Sequence, residues 1–162
     1  MANVNRGKDF EAQIRTGLES TPNTSVTRLL DPMSGYAGVR NICDFIVYKY
    51  PNQYFFECKC HYGNTLPFSC ITQNQWDGML QQSKVAGVVA GVLMWYIDHD
   101  VTVFIPIQVL EEERMHGKKS INIKDINNLD VIKIYGKKKR IMFDYDFDDF
   151  FDKIFLFTDI DK

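Results

Sequence analysis

The sequence has no apolar run long enough to cross a membrane. Its longest apolar stretch, residues 85–97, is interrupted by glycine and falls short of the roughly 18 residues that a membrane helix needs. The first nine residues also carry no apolar signal core, so we expect neither membrane insertion nor secretion. A length of 162 residues fits a single domain with its own apolar core.

Cysteine is scarce and does not form a clear metal motif. The four cysteines are Cys43, Cys58, Cys60 and Cys70. Without an export signal, we expect free thiols in a reducing compartment. The segment from Cys58 to His61 is compatible with zinc, but it falls in a strand pattern and no second pair of spaced cysteines accompanies it. We therefore favour small buried apolar side chains over a zinc site.

The excess of positive charge typical of DNA-binding proteins is also missing, since the net charge is −2. Seven Asp and two Lys give residues 144–162 a charge of −5, which leaves +3 on residues 1–143. We predict one main domain over 1–143 and an acidic aromatic tail over 144–162 that packs on it. The asymmetry favours a nucleic-acid partner. The densest basic run, residues 137–140, is either a solvated turn or a patch that contacts phosphates.

Apolar periodicity predicts a mixed order of helices and strands. A helix over 6–19 has Phe10, Ile14 and Leu18 on its buried side, and Glu11 at the shoulder of that side. A second helix follows the capping residue Thr72. The predicted helices span 6–19, 73–83 and 111–116; the predicted strands span 26–30, 44–50, 53–60, 86–97 and 101–109; residues 31–38 form a loop, and residues 118–143 are irregular. This order predicts an α/β domain with one mixed sheet covered by helices.

A predicted hairpin brings three charged residues together. Residues i and i+2 of a strand point to one face about 6.6 Å apart, so Glu57 and Lys59 project together. If Pro51 and Asn52 form a two-residue loop, Asp44 faces Lys59, and directly opposed residues share a face. We therefore predict that the three charged side chains converge on one side of the sheet. A three-residue loop would send Asp44 to the other face.

The convergence favours a divalent metal site. Carboxylates on apolar strands are costly to bury unless they pair or bind a cation. Mg²⁺ prefers oxygen ligands, typically one or two carboxylates with waters and substrate phosphates. Asp44, Glu57 and the backbone carbonyl of Cys58 are the predicted ligands. Lys59 would orient or activate a water and offset charge on the phosphate in the transition state.

Two further polar residues are predicted to support this site. Glu11, at the buried edge of the first helix, would help hold the ion or a nearby water. Gln75, at the start of the second helix, would orient Lys59 or the water. Because the Glu-x-Lys spacing alone is weak, a metal-free ion pair between Asp44 and Lys59 is the alternative.

The motifs of a known nuclease family occur in order along the chain: Gly7-x-x-Phe10-Glu11, Asp44, Glu57-x-Lys59 and a helix that begins near Gln75. Together they resemble the PD-(D/E)xK nucleases of the restriction-endonuclease-like superfamily. More narrowly, they resemble the RecU-type Holliday junction resolvases of Gram-positive bacteria and their phages. The resemblance covers about residues 5–110.

The resemblance implies a restriction-endonuclease-like mixed sheet flanked by helices. It implies a homodimer that binds branched DNA and cuts four-way junctions symmetrically with Mg²⁺ or Mn²⁺, in the cytoplasm of a bacterial host. It assigns Asp44 and Glu57 as metal ligands, Lys59 as the catalytic lysine, and Glu11 and Gln75 as supporting residues. The predicted DNA contacts are Arg6, Lys8, Arg15, Arg28 and Arg40.

One segment departs from that family. Its members carry a protruding stalk before the catalytic Asp, and the corresponding residues here, 29–42, are fewer and include Arg40 as the one clear cation. Two alternatives to junction resolution therefore stay open: a nuclease of the same fold that acts on flaps, forks or ends, and a non-catalytic DNA-binding recombination factor. A recombinase or host protein is a further candidate partner.

Overall fold

The computed structural model describes residues 5–30 and 40–160, with side chains as far as Phe155. The α-helices within these residues are α1 (Arg6–Glu19), α2 (Gln73–Ser83), α3 (Ile107–Met115) and α4 (Asp148–Ile160). The strands are β1 (Thr24–Arg28), β2 (Phe45–Lys49), β3 (Asn52–His61), β4 (Thr65–Pro67), β5 (Val88–Tyr96), β6 (Val101–Pro106), β7 (Ser120–Asn122), β8 (Ile132–Ile134), β9 (Gly136–Lys139) and β10 (Met142–Tyr145). The predicted loop over 31–38 lies outside the described residues.

A six-stranded sheet in the order β1-β2-β3-β5-β6-β8 forms the centre of the domain. Strands β3 and β5 are parallel, and the other neighbours in this sheet are antiparallel. The predicted mixed sheet is therefore confirmed. The described part of the chain contains no helix long and apolar enough to span a membrane.

Helix α1 covers one face of the sheet and has the predicted span. The side chain of Asn5 accepts a hydrogen bond from the backbone N–H of Lys8 at 3.3 Å, which satisfies a donor that the first turn leaves free. Phe10, Ile14 and Leu18 recur one turn apart and are at most 1% exposed. They pack in a core layer with the inward side chains of β2, β3 and β5.

Helices α2 and α3 cover the opposite face. Helix α2 also has the predicted span, and Thr72 and Gln75 form a reciprocal capping box at its start. Trp76 and Met79 of α2 and Leu110 of α3 enter a second core layer. The sheet thus lies between two layers of helices.

Two sequence predictions in the second half of the chain are wrong. The predicted strand over 101–109 ends at Pro106, and α3 begins at Ile107 rather than at 111. A continuous apolar run fits a buried strand and a buried helix equally well, so periodicity alone does not mark the boundary. Residues 118–143 are not irregular, because they contain β7, β8, β9 and the start of β10. These strands have three or four residues each, too few to show a period.

The C-terminal residues belong to the same core. Strand β10 runs without a break across the predicted boundary at 143/144. Phe147, Phe150, Phe151 and Ile154 are buried among side chains of α1 and the sheet. The ring of Phe150 lies edge-on to that of Phe56, with centroids 5.8 Å apart. The Asp residues between these aromatics are exposed to solvent.

Candidate active site

The β2–β3 hairpin determines which charged residues meet. Lys49 pairs with Asn52 and Phe45 with Phe56, so the loop is Tyr50-Pro51 and the predicted pairing is displaced by two residues. The prediction was wrong because Asn52 is buried and belongs to the strand. A displacement of two keeps each side chain on its predicted face. Counting back from Phe45 brings Asp44 level with Glu57 rather than Lys59.

Glu57 is the most buried charged group of this site, at 3% exposed. Its Oε1 atom accepts hydrogen bonds from Gln75 Nε2 at 2.8 Å and from Lys59 Nζ at 2.7 Å. Its Oε2 atom is buried and has no hydrogen-bond partner. Burial, reinforced by the charge of Asp44, raises the pKa of Glu57 to about 7. An unpaired buried carboxylate oxygen is costly, so this atom is available to a cation.

Asp44 lies beside Glu57, one residue before β2. Its Oδ2 atom accepts a hydrogen bond from the backbone N–H of Cys58 at 2.8 Å. Burial raises the pKa of Asp44, and the Cys58 bond opposes this rise. The ion pair between Asp44 and Lys59, given above as the metal-free alternative, is not the arrangement found. Asp44 bonds to the backbone N–H of Cys58, and Lys59 pairs with Glu57.

Lys59 is held in its charged form. Burial lowers the pKa of Lys59, but the adjacent carboxylate of Glu57 outweighs burial, with help from Asp44, so the pKa is raised overall. The side chain is 23% exposed, so its ammonium group can be reached from solvent. Lys59 therefore stays protonated beside the carboxylate of Glu57.

Gln75 links Glu57 to the start of α2. As the third residue of the helix, it accepts a hydrogen bond from the backbone N–H of Thr72 at 3.0 Å through Oε1. Its Nε2 atom is thereby turned toward Glu57. The capping box fixes the side-chain amide of Gln75 in the orientation that lets it donate to the carboxylate of Glu57. Gln75 thus contacts Glu57, whereas the sequence pointed to Lys59 or a water.

Glu11 reaches the rim of the site and forms an ion pair there. Its Oε2 atom lies 2.6 Å from Arg28 Nη2. The negative charge of Glu11 contributes to the raised pKa of Asp44, so the two carboxylates are near neighbours. Arg28, predicted to contact DNA, forms this ion pair within the protein.

An open cleft of about 310 Å³ gives access to the carboxylates. It is lined by Leu29, Arg40, Asn41, Cys43, Asp44, Glu57, Thr72, Asn74 and Gln75. The cleft lies between the β2–β3 hairpin and the start of α2. Asp44 and Glu57 therefore face a common space large enough for an ion, waters and part of a substrate.

No protein-family model and no curated protein matches the sequence. Among solved structures, Hjc, a Holliday junction resolvase from the archaeal hyperthermophile Archaeoglobus fulgidus, matches with a TM-score of 0.54 and 18% identity. The match covers 76% of this chain and 93% of that chain. The chain has a resolvase-like fold.

Within this resolvase-like fold, the oxygen-rich site fits a hard divalent ion better than zinc. Within residues 5–30 and 40–160, no three His, Cys, Asp or Glu side chains form a metal-holding cluster. Mg²⁺ does not need such a cluster, because waters and phosphates complete its shell. The unpaired Oε2 atom of Glu57 and the adjacent Asp44 supply suitable oxygens. Burial raises the pKa of Cys43 to about 12 and that of Cys58 well above its usual value, so these thiols stay protonated.

Among the described residues, two of the predicted DNA contacts, Arg15 and Arg28, form ion pairs within the protein. Arg15 forms an ion pair with Glu19 on the same helix at 2.8 Å. Arg40 lines the cleft. Lys8 is exposed near the start of α1. Arg6 lies close enough to Cys60 to oppose the burial that raises the pKa of that thiol, and its buried Nη1 atom has no hydrogen-bond partner.

One residue that shapes the cleft was not predicted from the sequence. Asn74 Nδ2 donates to the backbone carbonyls of Arg40 and Asn41, both at 3.3 Å. These bonds tie the chain before Asp44 to the start of α2. No sequence signal identifies Asn74, because its partners are backbone atoms more than thirty residues away.

Proposed function

We propose that this chain is a metal-dependent DNA endonuclease that resolves four-way junctions by cutting two strands symmetrically. The observation that carries the proposal is the state of Glu57, buried at 3% exposure. One of its oxygens is bonded to Lys59 and Gln75 and the other has no partner. The carboxylate of Glu57 thus lines an open cleft and is held next to the ammonium group of Lys59. The fold around them resembles that of an archaeal junction resolvase.

In this proposal, Asp44, Glu57 and the backbone carbonyl of Cys58 would hold Mg²⁺ or Mn²⁺. When bound, the ion would polarise the scissile phosphate and lower the pKa of a water. The protein contributes fixed charges and orientation. Lys59 offsets the negative charge that develops on the phosphate, because Glu57 keeps it protonated beside the cleft. Gln75 prevents the carboxylate of Glu57 from rotating away.

The finer part of the proposal concerns the assembly and its substrate. We assign the chain to the RecU-type resolvases, acting as a homodimer in the cytoplasm of a bacterial host. A two-fold dimer suits a four-way junction, because it presents two equivalent sites to a pseudo-two-fold substrate. Light scattering of the purified protein tests this part separately, and a monomer at working concentration would contradict it.

The decisive experiment measures cleavage of a synthetic four-way junction with Mg²⁺ or Mn²⁺. Asp44→Asn and Glu57→Gln should lower the rate by roughly two or more powers of ten, since each removes a charged ligand. Both variants should still bind the junction when divalent ions are absent. Glu112→Gln is the matched control, because Glu112 is exposed on α3, away from the cleft. Its rate should equal that of the wild type.

Substrate comparison separates the proposal from its rivals. Intact junctions after incubation with either metal would contradict it. Faster cleavage of flaps, forks or ends than of junctions, measured side by side, would assign a different nuclease activity to the same site. Salt-sensitive DNA binding without cleavage under either ion would favour a non-catalytic recombination factor.

A further inference from the structure

We infer that the β9–β10 hairpin, residues 136–145, is an arm that binds the DNA backbone, with Lys137 and Arg140 contacting phosphates beside the nuclease site. This inference rests on the proposed function for its choice of DNA as the partner. The hairpin is called the basic arm below. It contains Lys137, Lys138, Lys139 and Arg140, all exposed.

The cations of the basic arm are not equivalent. Lys138 forms an ion pair with Asp100, and Lys139 forms one with Asp144 on the paired strand. Among the described residues, Lys137 and Arg140 have no ion-pair partner. Two cations are thus neutralised within the protein and two are left available. The available pair is what the arm would offer to a polyanion.

The arm and the candidate active site lie at the same end of the strands, but the arm packs on the α1 side of the sheet, whereas Glu57 projects from the α2 side toward Gln75. The ion pair with Asp100 anchors the arm at the turn between β5 and β6. That turn follows Tyr96, which pairs with His61 at the end of β3, two residues beyond Lys59. At about 3.3 Å per residue and 4.8 Å per strand, the turn is on the order of 15 Å from Lys59. This distance corresponds to about four steps along one DNA strand at 3.4 Å each.

The arm is also held rigidly, as a phosphate-contacting element should be. Phe143 lies edge-on to Trp95 with ring centroids 6.4 Å apart and is stacked on Tyr145 at 5.7 Å. The hydroxyl groups of Tyr145 and Thr102 share a hydrogen bond of 2.8 Å. The inward face of the arm is thus packed on the core, while Lys137 lies on the outward face with Asp144, its cross-strand partner. A preformed arm loses little conformational freedom on binding.

Location and charge favour DNA as the partner. A nucleic acid that delivers a phosphate to Asp44 and Glu57 approaches the end of the strands at which the arm is anchored, and the arm offers it two cations. Phosphate contacts position a duplex but carry no base information. The arm should therefore strengthen binding to duplexes and junctions by the same factor.

The test uses a charge-removing double variant, Lys137→Gln with Arg140→Asn. Asparagine is chosen because Arg140 has a φ of 50°, and Asn tolerates this left-handed conformation better than most residues. The matched control is Lys84→Gln with Lys133→Gln, which removes the same charge. Both control lysines are exposed. Lys84 follows α2 at the opposite end of the strands, and Lys133 lies on the edge strand β8.

DNA affinity is measured against salt concentration for a duplex and a junction, without divalent ions. Each neutralised phosphate contributes about 0.9 to the slope of log affinity against log salt. The arm variant should lose about 1.8 from that slope. Between 50 and 200 mM salt, the wild type should then lose about 12 times more affinity than the arm variant. The control should keep the wild-type slope, and both variants should keep the wild-type melting temperature.

The outcomes separate this inference from the proposed function. Junction cleavage by the wild type with an unchanged slope for the arm variant would overturn the arm and leave the nuclease standing. A reduced slope without any cleavage by the wild type would support the arm as a DNA contact and overturn the nuclease. A slope reduced equally in the control would overturn the arm, since any surface lysine would then do the same. Absence of DNA binding by the wild type at low salt would overturn both.

Discussion

The buried carboxylate of Glu57 makes the stability of this protein depend on pH in a direction that can be measured without substrate. Burial and the charge of Asp44 raise the pKa of Glu57 from its usual 4.5 to about 7. The folded protein therefore binds this proton more tightly than the unfolded chain. Between pH 4.5 and 7 the contribution of Glu57 to the free energy of unfolding falls as pH rises, and its full penalty is present above pH 7.

The size of this penalty follows from the two pKa values. A difference of this extent corresponds to about 3 kcal/mol. Glu57→Gln resembles the protonated acid and keeps a group that can bond to Gln75. At pH 8 the variant should be more stable than the wild type by up to about 3 kcal/mol. At pH 4.5 and below, the advantage should vanish because the wild-type carboxyl group is then protonated as well.

Urea unfolding in a chelator at several pH values between 4.5 and 8 measures this difference. Glu112→Gln is the control, and its stability should stay within about 0.5 kcal/mol of the wild type throughout. A Glu57→Gln protein that is no more stable than the wild type at pH 8 would refute the reasoning. A gain of the same size at every pH would refute it too, because the effect would not come from ionisation.

A divalent ion should reduce the advantage of the variant. If Mg²⁺ or Mn²⁺ binds beside Asp44 and Glu57, a concentration of ten times its Kd stabilises the folded wild type by about 1.4 kcal/mol. Glu57→Gln, which lacks one charged ligand, should gain less. Equal stabilisation of both proteins would place the ion elsewhere.

Three further substitutions test other parts of the structure by urea or thermal unfolding. Gln75→Ala removes the capping box and the bond to Glu57 and should cost about 1–2 kcal/mol; a loss no greater at pH 8 than at pH 5 would contradict the bond to the carboxylate. Phe150→Ala should cost about 3–5 kcal/mol in one cooperative transition, and a separate early transition of the C-terminal segment would contradict the shared core. Gly91→Ala would place a Cβ atom 2.3 Å from the carbonyl oxygen of Ile105 and should cost about 1–3 kcal/mol or more; an unchanged melting temperature would contradict this close approach of β5 and β6.

Local patterns were sufficient for the helices that carry site residues. The spans of α1 and α2 follow from apolar residues one turn apart and from capping side chains within three residues of each helix start. Such interactions are local, so neighbouring residues alone specify them. The same locality placed Glu57 and Lys59 on one face, because side chains alternate along any strand.

Pairing between distant segments could not be predicted in the same way. The hairpin register was wrong by two residues because the burial of Asn52 depends on the packing of the whole domain. The short strands β7 and β8 exist because they pair with β4 and β6, with which they exchange backbone hydrogen bonds. A three-residue segment has no period of its own, and only its partner makes it a strand.

The amino-acid sequence by itself determined the α1 and α2 spans, the alternation of side chains in β3, and the candidate carboxylates, since each depends on a few neighbouring residues. Tertiary structure decided which oxygen of Glu57 is left without a partner, because Lys59, Gln75 and the surrounding core reach it from separate elements. It also decided that the acidic C-terminal segment is part of the core. Phe147, Phe150 and Phe151 are buried on the α1 side of the sheet. The alternation of Asp and Phe along the segment does not indicate which surface these rings contact.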